Sequence, residues 1–124
     1  MAKSIGLDLV EIARIETDIE RYGERFAGRL LGEDEKAIYD NRRDKALFLA
    51  GRLAAKEAAI KALGQFLTDR PAWSEIQVVP GSTGLPQLKL SERVRQLLPR
   101  LNALISITHE KTFAAAVVVL EEDE

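Results

Sequence analysis

The chain has 124 residues, a length typical of one domain, and 46% of its residues are hydrophobic while 31% are charged. This balance excludes long disordered or collagen-like segments. Lys and Arg number 18 against 20 Asp and Glu, so the formal net charge is −2 and no global attraction draws the chain to nucleic acid or to an anionic membrane.

Cysteine is absent, which excludes disulfides, thiolate nucleophiles and cysteine-based zinc sites. The longest apolar run covers residues 113–120 and is too short to span a bilayer. The first residues contain no apolar stretch typical of a signal peptide. We therefore expect a soluble protein of the cytoplasm.

The first part of the chain predicts a strand followed by helices. Alternation over residues 4–10 predicts a strand that turns Gly6, Asp8 and Val10 to the face opposite its leucines. A helical period then predicts one helix over residues 11–30, and Asp34 is expected to cap a short helix that ends at Tyr39. The apolar stripe of the long helix should face the core; it consists of Ile15, Ile19, Tyr22, Phe26 and Leu30.

The second part predicts a long helix, a loop and four strands. The helix covers residues 45–63 and ends with Gly64 in the C′ position, and a loop follows at residues 65–73. The strands are expected at 75–79, 87–90, 103–109 and 113–120, and a helix at 91–98 is capped by Ser91. Residues 121–124 are expected to be a solvated, frayed tail. This order predicts one α+β domain over residues 1–124, with helices packed on one face of a mainly antiparallel sheet.

Four charged residues interrupt the apolar helix at 45–63: Arg52, Lys56, Glu57 and Lys61. Glu57 and Lys61 are four residues apart, so one interpretation is an exposed helical ion pair worth a few tenths of a kcal/mol. The helix is apolar on nearly every side, however, and buried charges are costly unless a partner or an ion compensates them. The alternative interpretation is therefore a functional cluster.

Asp8 is a second unusual acid, because it lies within an apolar strand. It is either an edge or solvent-facing carboxylate or, together with Glu57, part of a site for a hard cation. Mg²⁺ is typically held by one or two carboxylates together with substrate phosphates and water.

His109 is the only histidine and has no second histidine or cysteine with which to bind zinc. A structural role and a functional role both remain open for it. The sequence contains no Gly-x-Ser-x-Gly elbow, no Gly-x-Gly-x-x-Gly and no P-loop. Any bound phosphates must therefore be met by side-chain cations and a metal ion.

The predicted helix at 11–30 has an arginine face, formed by Arg14, Arg21, Arg25 and Arg29 within about 80° of arc. Its glutamates line a different face. The arginine face is either a solvated surface with ion pairs or a basic ridge for an acidic protein. It lacks the interleaved aromatic residues that single-stranded nucleic acid would require.

Three blocks of sequence together resemble the holo-acyl-carrier-protein synthases, the small bacterial members of the 4′-phosphopantetheinyl transferase superfamily. The blocks are Gly6-Leu7-Asp8-Leu9-Val10-Glu11 with Arg14, Phe48 to Ala58 with Lys61-Ala62-Leu63-Gly64, and Ser106-Ile107-Thr108-His109. The resemblance extends from about Lys3 to Leu120, and the Ala-Ala-Lys-Glu-Ala block with its following lysine is highly specific.

The resemblance implies the transferase fold and a reaction in which the phosphopantetheine arm of coenzyme A moves to a serine of apo-acyl carrier protein, in support of fatty acid biosynthesis. Adenosine 3′,5′-bisphosphate is released. Asp8 and Glu57 match the family's Mg²⁺ ligands, and Lys61 matches the lysine beside the reacting phosphate. Metal-bound water, Glu57 and Lys61 are all candidates for the base.

The resemblance also implies which residues contact coenzyme A and the carrier protein. Arg52, His109, Gly64, Gly84 and Pro86 match positions near coenzyme A. On the arginine face, Arg14, Arg21 and Arg25 match the helix that receives the acidic carrier protein. The family implies a homotrimer with active sites at the subunit interfaces.

The chain departs from the family at residues 65–71, where many relatives have a glycine-rich stretch, so the conformation of this loop is open. Two alternatives to the transferase are a non-catalytic adaptor that binds the carrier protein and a different Mg²⁺-dependent nucleotide enzyme on the same fold. The charges at Asp8, Glu57 and Lys61 argue against the adaptor, which has no need of them.

Overall fold

The computed structural model describes residues 2–123. The strands and helices are, in chain order, β1 (Ala2–Glu11), α1 (Ile12–Tyr22), α2 (Glu24–Leu30), α3 (Glu33–Asp40), α4 (Lys45–Leu63), β2 (Ile76–Pro80), β3 (Pro86–Leu90), α5 (Glu92–Leu97), β4 (Leu101–His109) and β5 (Phe113–Glu122). A 3₁₀ turn at Trp73–Glu75 precedes β2. No helix in this part of the chain has the length and apolarity needed to cross a membrane.

The strands form two antiparallel sheets, one of three strands in the order β1-β5-β4 and one of two strands, β2-β3. Helix α4 packs across one face of the three-stranded sheet. The predicted α+β class with antiparallel pairing is confirmed, although the strands are divided between two sheets.

Strand β1 approaches α4 very closely, and Gly6 is the residue that permits this. A Cβ atom added at Gly6 would lie 1.8 Å from the carbonyl oxygen of Ala58, which no side chain can tolerate. Small residues on α4 complete the contact, since Ala54, Ala58 and Ala62 are all fully buried. The closeness of these two backbones determines where Asp8 lies relative to α4.

The single helix predicted over residues 11–30 is wrong, because Gly23 separates α1 from α2. Its φ of 59° is a left-handed conformation that glycine adopts without the steric cost of a Cβ. Ile15 and Leu30 are buried as predicted, whereas Tyr22 is 45% exposed and does not belong to the core stripe.

The predicted bounds of α4, residues 45–63, are confirmed, but two predicted helix caps are wrong. Gly32, not Asp34, precedes the first turn of α3, and its N–H donates to Glu35 Oε1 at 2.9 Å. Gly64 ends α4 with a φ of −58°, so the left-handed C′ conformation is not used. The Ser91 cap of α5 is confirmed, since its Oγ accepts a hydrogen bond from the Val94 N–H at 3.3 Å.

The predicted frayed tail is wrong for most of its length. Glu121 and Glu122 extend β5 and pair with both of its neighbours, for example with Lys3 of β1 and Asn102 of β4. The Asp123 N–H donates to the Arg100 carbonyl at 3.2 Å. Glu124 lies outside the described residues.

The outer face of the three-stranded sheet, on the side away from α4, is apolar and exposed. Ile5, Leu7 and Leu9 of β1 are 68%, 64% and 60% exposed, and Leu104 of β4 is 71% exposed. Pairing through β5 aligns Ile5 with Val119 and Val119 with Leu104, so these side chains share one surface. We call this surface, formed by Ile5, Leu7, Leu9 and Leu104, the apolar sheet face.

Candidate active site

Lys61 connects α4 to β1 and contacts one of the two predicted carboxylates. Its Nζ donates to the Leu7 carbonyl at 2.9 Å and to Asp8 Oδ1 at 3.0 Å. Glu57 precedes Lys61 by one helical turn and therefore lies on the same face of α4. Asp8 thus contacts Lys61, and Glu57 lies one turn away on the face of α4 that carries Lys61. We call these three residues the carboxylate cluster.

Asp8 lies on the sheet face that packs against α4, and its side chain is only 20% exposed. Asp8 does lie on an edge strand, since β1 is the outer strand of the three-stranded sheet, but the interpretation of Asp8 as a solvent-facing acid is wrong. Its neighbours explain the position, because Gly6 brings the strand against α4 two residues earlier.

Glu57 lies at the rim of the site with its side chain 30% exposed. Its Oε2 accepts one hydrogen bond from Arg70 Nη2 at 2.8 Å and another from the Trp73 indole N–H at 3.1 Å. The helical Glu57–Lys61 ion pair is therefore wrong, since each residue has a different partner. No local sequence pattern predicts Arg70 and Trp73 as neighbours of Glu57, because they come from the loop and 3₁₀ turn that follow α4.

Lys56, the residue before Glu57, forms a buried ion pair with Glu35. Lys56 and Glu35 are both fully buried, and Lys56 Nζ lies 2.5 Å from Glu35 Oε1. Lys56 Nζ also donates to the Trp73 carbonyl at 2.9 Å, while Glu35 Oε2 accepts from the Val78 N–H at 2.9 Å. Burial lowers the pKa of Lys56, and the charge of Glu35 opposes that shift. This network confirms that the charges of α4 need partners and fixes α4 against α3, β2 and the 3₁₀ turn.

Arg52 lies on α4 five residues before Glu57, which places it about 140° around the helix. Its guanidinium carbon is 4.3 Å from the centre of the Phe48 ring, and Nη2 donates to the Val78 carbonyl at 3.1 Å. Its Nε is buried without a hydrogen bond, 3.9 Å from Glu35 Oε2. The contact of Arg52 with coenzyme A stays a prediction.

His109 is not brought to Glu57 within one chain. His109 ends β4 and lies near Asp44. The Arg42 hydrogen bond is the main cause that lowers the pKa of Asp44, and His109 adds a smaller effect in the same direction. Asp44 precedes α4, so about 20 Å of helix at 1.5 Å per residue separates it from Glu57.

The glycine and proline positions predicted near coenzyme A also lie apart. Gly64 ends α4 just beyond Lys61, but Gly84 lies in the turn between β2 and β3, and Pro86 is the first residue of β3. Within residues 2–123, no hydrogen bond or ion pair joins that turn to Asp8, Glu57 or Lys61. The contact of Gly64, Gly84 and Pro86 with coenzyme A stays a prediction.

The arginine face is divided between two helices, because Gly23 separates Arg14 and Arg21 on α1 from Arg25 and Arg29 on α2. All four arginines are exposed, and among residues 2–123 none of them forms an ion pair. The interpretation as an ion-paired helix surface is therefore not supported. A groove of about 470 Å³ runs beside α2 and is lined by Asp18, Tyr22, Arg25, Phe26, Arg29 and Trp73. Trp73, which lines this groove, also contacts Glu57.

The donor set at the carboxylate cluster fits a hard cation. Asp8 and Glu57 offer carboxylate oxygens, which Mg²⁺ prefers, and both side chains are partly exposed so that water or phosphate can complete the coordination. Over residues 2–123 no group of three or more acidic or histidine side chains converges, so a protein-only cage is not present there.

Comparison with known proteins gives a consistent result. A family model described as the 4′-phosphopantetheinyl transferase superfamily matches residues 4–118. Two curated relatives, both called holo-[acyl-carrier-protein] synthase, come from Protochlamydia amoebophila and Azoarcus sp.; they are 39% and 42% identical to this chain, covering 96% and 98% of it and 98% of each relative. The crystal structure of the Helicobacter pylori holo-[acyl-carrier-protein] synthase in complex with coenzyme A is 32% identical, with a TM-score of 0.81 over 94% of this chain and 99% of that one.

The fold and the site therefore define a transferase of the phosphopantetheinyl class. The chain belongs to the 4′-phosphopantetheinyl transferase superfamily and, within it, to the holo-[acyl-carrier-protein] synthase family of enzymes.

Proposed function

We propose that the chain transfers the 4′-phosphopantetheine group of coenzyme A to a serine of apo-acyl carrier protein and releases adenosine 3′,5′-bisphosphate. The observation that carries the proposal is the Asp8–Lys61 contact of 3.0 Å on the same face of α4 as Glu57. With a divalent cation on its two carboxylates, this cluster and its ammonium would suit the diphosphate of coenzyme A. The coenzyme A complex of the Helicobacter pylori relative supports the same substrate.

Asp8 and Glu57 are the residues that would hold Mg²⁺, which when bound supplies charge neutralisation on the diphosphate. Lys61 would act on the same group: its side chain is 57% exposed and its ammonium is held by Leu7 and Asp8, so it can face a phosphate without reorganising. The serine oxygen of the carrier protein forms the new bond to phosphorus, and the bond to adenosine 3′,5′-bisphosphate breaks. Glu57, Lys61 and water remain the candidates for the base that takes the serine proton.

The carrier protein would dock on the arginine face, with Arg14, Arg21 and Arg25 meeting its acidic surface. The exposure of these side chains and their lack of ion pairs within residues 2–123 support this assignment. The groove beside α2 leads from the arginine face to Trp73 and hence to Glu57. A serine carried on the docked partner would reach the cluster along this route.

The active form would be a homotrimer with the site at each subunit interface. Two observations support this: the apolar sheet face is exposed in one chain, and His109, Gly84 and Pro86 do not meet Glu57 within that chain. A neighbouring subunit would supply Arg52, His109, Gly84 and Pro86 to the coenzyme A bound at Asp8, Glu57, Lys61 and Gly64. We place this activity in the cytoplasm, where it would serve fatty acid biosynthesis.

The test combines the chain with coenzyme A, Mg²⁺ and apo-acyl carrier protein and follows the mass of the carrier protein by mass spectrometry. We expect the carrier to gain one phosphopantetheine group. Glu57→Gln preserves the shape of the side chain but removes its charge, so the rate should fall at least a hundredfold, or about 2.7 kcal/mol of lost stabilisation.

Glu92→Gln is the matched control, because Glu92 is an exposed acid of α5 whose only side-chain partner within residues 2–123 is Gln96. It should keep full activity. A carrier that binds without gaining mass would favour the adaptor, and consumption of coenzyme A without carrier modification would favour a different nucleotide enzyme. Unchanged turnover by Glu57→Gln at saturating Mg²⁺ would remove Glu57 from the site.

A further inference from the structure

Glu57 is contacted by two donors of different charge, and both donate to the same oxygen. Arg70 Nη2 and the Trp73 indole N–H lie 2.8 and 3.1 Å from Oε2. Among residues 2–123, no hydrogen-bond donor contacts Oε1. The carboxylate is therefore fixed by one oxygen while the other remains available to a ligand.

We propose that Arg70 and Trp73 are positioning residues with opposite effects on cation binding at Glu57: Trp73 orients the carboxylate for the cation, whereas Arg70 competes with it. This inference rests on the proposed metal-ligand role of Glu57. It concerns residues of the loop and turn that the family resemblance does not assign.

Trp73 affects the geometry of Glu57 but not its charge. Its indole N–H is neutral, so it directs Glu57 Oε2 without cancelling the negative charge that attracts a cation. Its backbone carbonyl accepts the hydrogen bond of the buried Lys56 at 2.9 Å, which fixes the residue to the core. Partners of this kind, which orient a ligand from behind, typically change metal affinity by 10–100-fold when removed.

Arg70 affects the charge at Glu57. Its guanidinium brings a full positive charge to the carboxylate that would receive the cation, and like charges at such distances repel. Its side chain is 59% exposed, so it can leave Glu57 for solvent at low cost when a cation arrives. Arg70 is thus an internal counter-ion that the cation must displace.

The surrounding loop keeps Arg70 in this position. Arg93 contacts Asp69 at 3.0 Å on one side of Arg70 and Glu75 at 2.8 Å on the other, so it closes the segment that contains Arg70. The Arg93 hydrogen bonds are also the main cause of the low pKa of Glu75, which is lowered to about 2. Glu75 therefore stays charged, and this clamp persists, throughout the physiological pH range.

The experiment measures Mn²⁺ binding to the intact chain without coenzyme A, by the loss of the electron paramagnetic resonance signal of free Mn²⁺. Arg70→Gln should bind Mn²⁺ at least about threefold more tightly than the wild type, since a repelling charge at a partly exposed site is removed. Arg70→Lys keeps the charge and should restore wild-type affinity. Trp73→Phe keeps the ring but loses the N–H, so it should bind about tenfold more weakly.

Trp73 also provides a spectroscopic signature, because it is the only tryptophan in the chain. Mn²⁺ should quench its fluorescence in the wild type with the same midpoint that the resonance titration gives. Arg100→Gln is the matched control for charge, since Arg100 is an exposed arginine in the turn before β4. It should leave both titrations unchanged.

The sign of the two effects separates this inference from a merely structural role, which would weaken binding in both variants. Weaker or unchanged binding by Arg70→Gln, or unchanged binding by Trp73→Phe, overturns it. If Glu57→Gln binds Mn²⁺ as well as the wild type, or if the wild type shows no saturable binding, the metal-ligand assignment fails and the inference with it. If Glu57→Gln abolishes binding while Arg70→Gln changes nothing, only the inference fails.

Discussion

At the scale of single residues, two neighbours on α4 have opposite environments. Lys56 is fully buried against Glu35, whereas Glu57 lies at the rim with its side chain 30% exposed. The sequence predicted that charges on so apolar a helix need compensation, and this is correct for Lys56. It could not identify Glu35 as the partner, because that contact spans 21 residues and depends on how α3 packs against α4.

Removing one partner of the buried pair should be much worse than removing both. Lys56→Ala leaves Glu35 without its counter-ion in the core and should lower the free energy of unfolding by about 3–5 kcal/mol. Urea denaturation followed by circular dichroism measures this. The double variant Lys56→Met with Glu35→Gln should recover part of the loss, since it leaves no charge of this pair in the core and keeps an acceptor oxygen near the Gly32 and Val78 N–H groups.

Lys36→Ala is the control, because Lys36 is an exposed lysine of α3. Its effect should stay within about 0.5 kcal/mol. If Lys56→Ala lowers the free energy of unfolding by less than about 1 kcal/mol, the charge of Glu35 does not depend on Lys56 for compensation in the core.

At the scale of elements, the break at Gly23 decides how the arginine face is presented. The sequence correctly placed helical structure on both sides of Gly23 and a core stripe through Ile15 and Leu30. It could not predict the break, because a glycine inside a helix costs only about 1 kcal/mol and leaves the hydrophobic period intact on both sides. The loop before the 3₁₀ turn was equally unpredictable, since its contacts with Glu57 are formed by residues with no periodic pattern.

The division into α1 and α2 allows the arginine face to be tested one helix at a time. Arg14→Glu with Arg21→Glu reverses the charge of both arginines on α1, so we expect the KM for the carrier protein to rise at least about tenfold while the KM for coenzyme A stays unchanged. Added salt should weaken the wild type towards its carrier, because exposed charges are screened over about 8 Å at physiological ionic strength. The double variant should lose this salt dependence or invert it.

Arg25→Glu alone tests the contribution of α2, and it should add to the effect of the α1 variant if both helices contact the same partner. Steady-state kinetics at two salt concentrations gives all of these quantities. Normal carrier binding by the double variant at low salt would mean that these arginines are a solvated surface and do not bind the carrier protein. An equal loss of coenzyme A binding would instead place them in the coenzyme site.

At the scale of the whole molecule, the alternation in β1 predicted two faces but could not say which one α4 covers. Hydrophobicity alone favours burying Ile5, Leu7 and Leu9, yet these side chains are exposed and Ser4, Gly6, Asp8 and Val10 pack inward. The reason is the close contact with α4, which leaves no room for a side chain at Gly6 and so fixes which face of the strand turns inward. The larger apolar side chains are left on the outside, where a second copy of the chain can cover them.

Placing a charge on the apolar sheet face should therefore separate the subunits. Leu104→Asp is expected to convert a trimer into a monomer in sedimentation velocity measurements and to abolish transfer, because the coenzyme site would lose the residues of its neighbour. Leu97→Asp on α5 is the matched control, since Leu97 is also exposed, at 52%, but lies outside the apolar sheet face. A monomeric wild type with full activity would contradict the assembly.

The contact between Gly6 and Ala58 has a consequence for how the spacing of the two carboxylates is maintained. Asp8 lies two residues after Gly6, and Glu57 directly precedes Ala58, so each acid is attached to one side of the same backbone contact. Their separation is thus set by two main chains in contact and not by the length or rotamer of any intervening side chain. Even a single methyl group at Gly6 would force the strand away from the helix and widen the gap between the acids, although it would touch neither substrate nor metal. Gly6 therefore fixes the distance between the two carboxylates of the proposed site, although it has no side chain of its own.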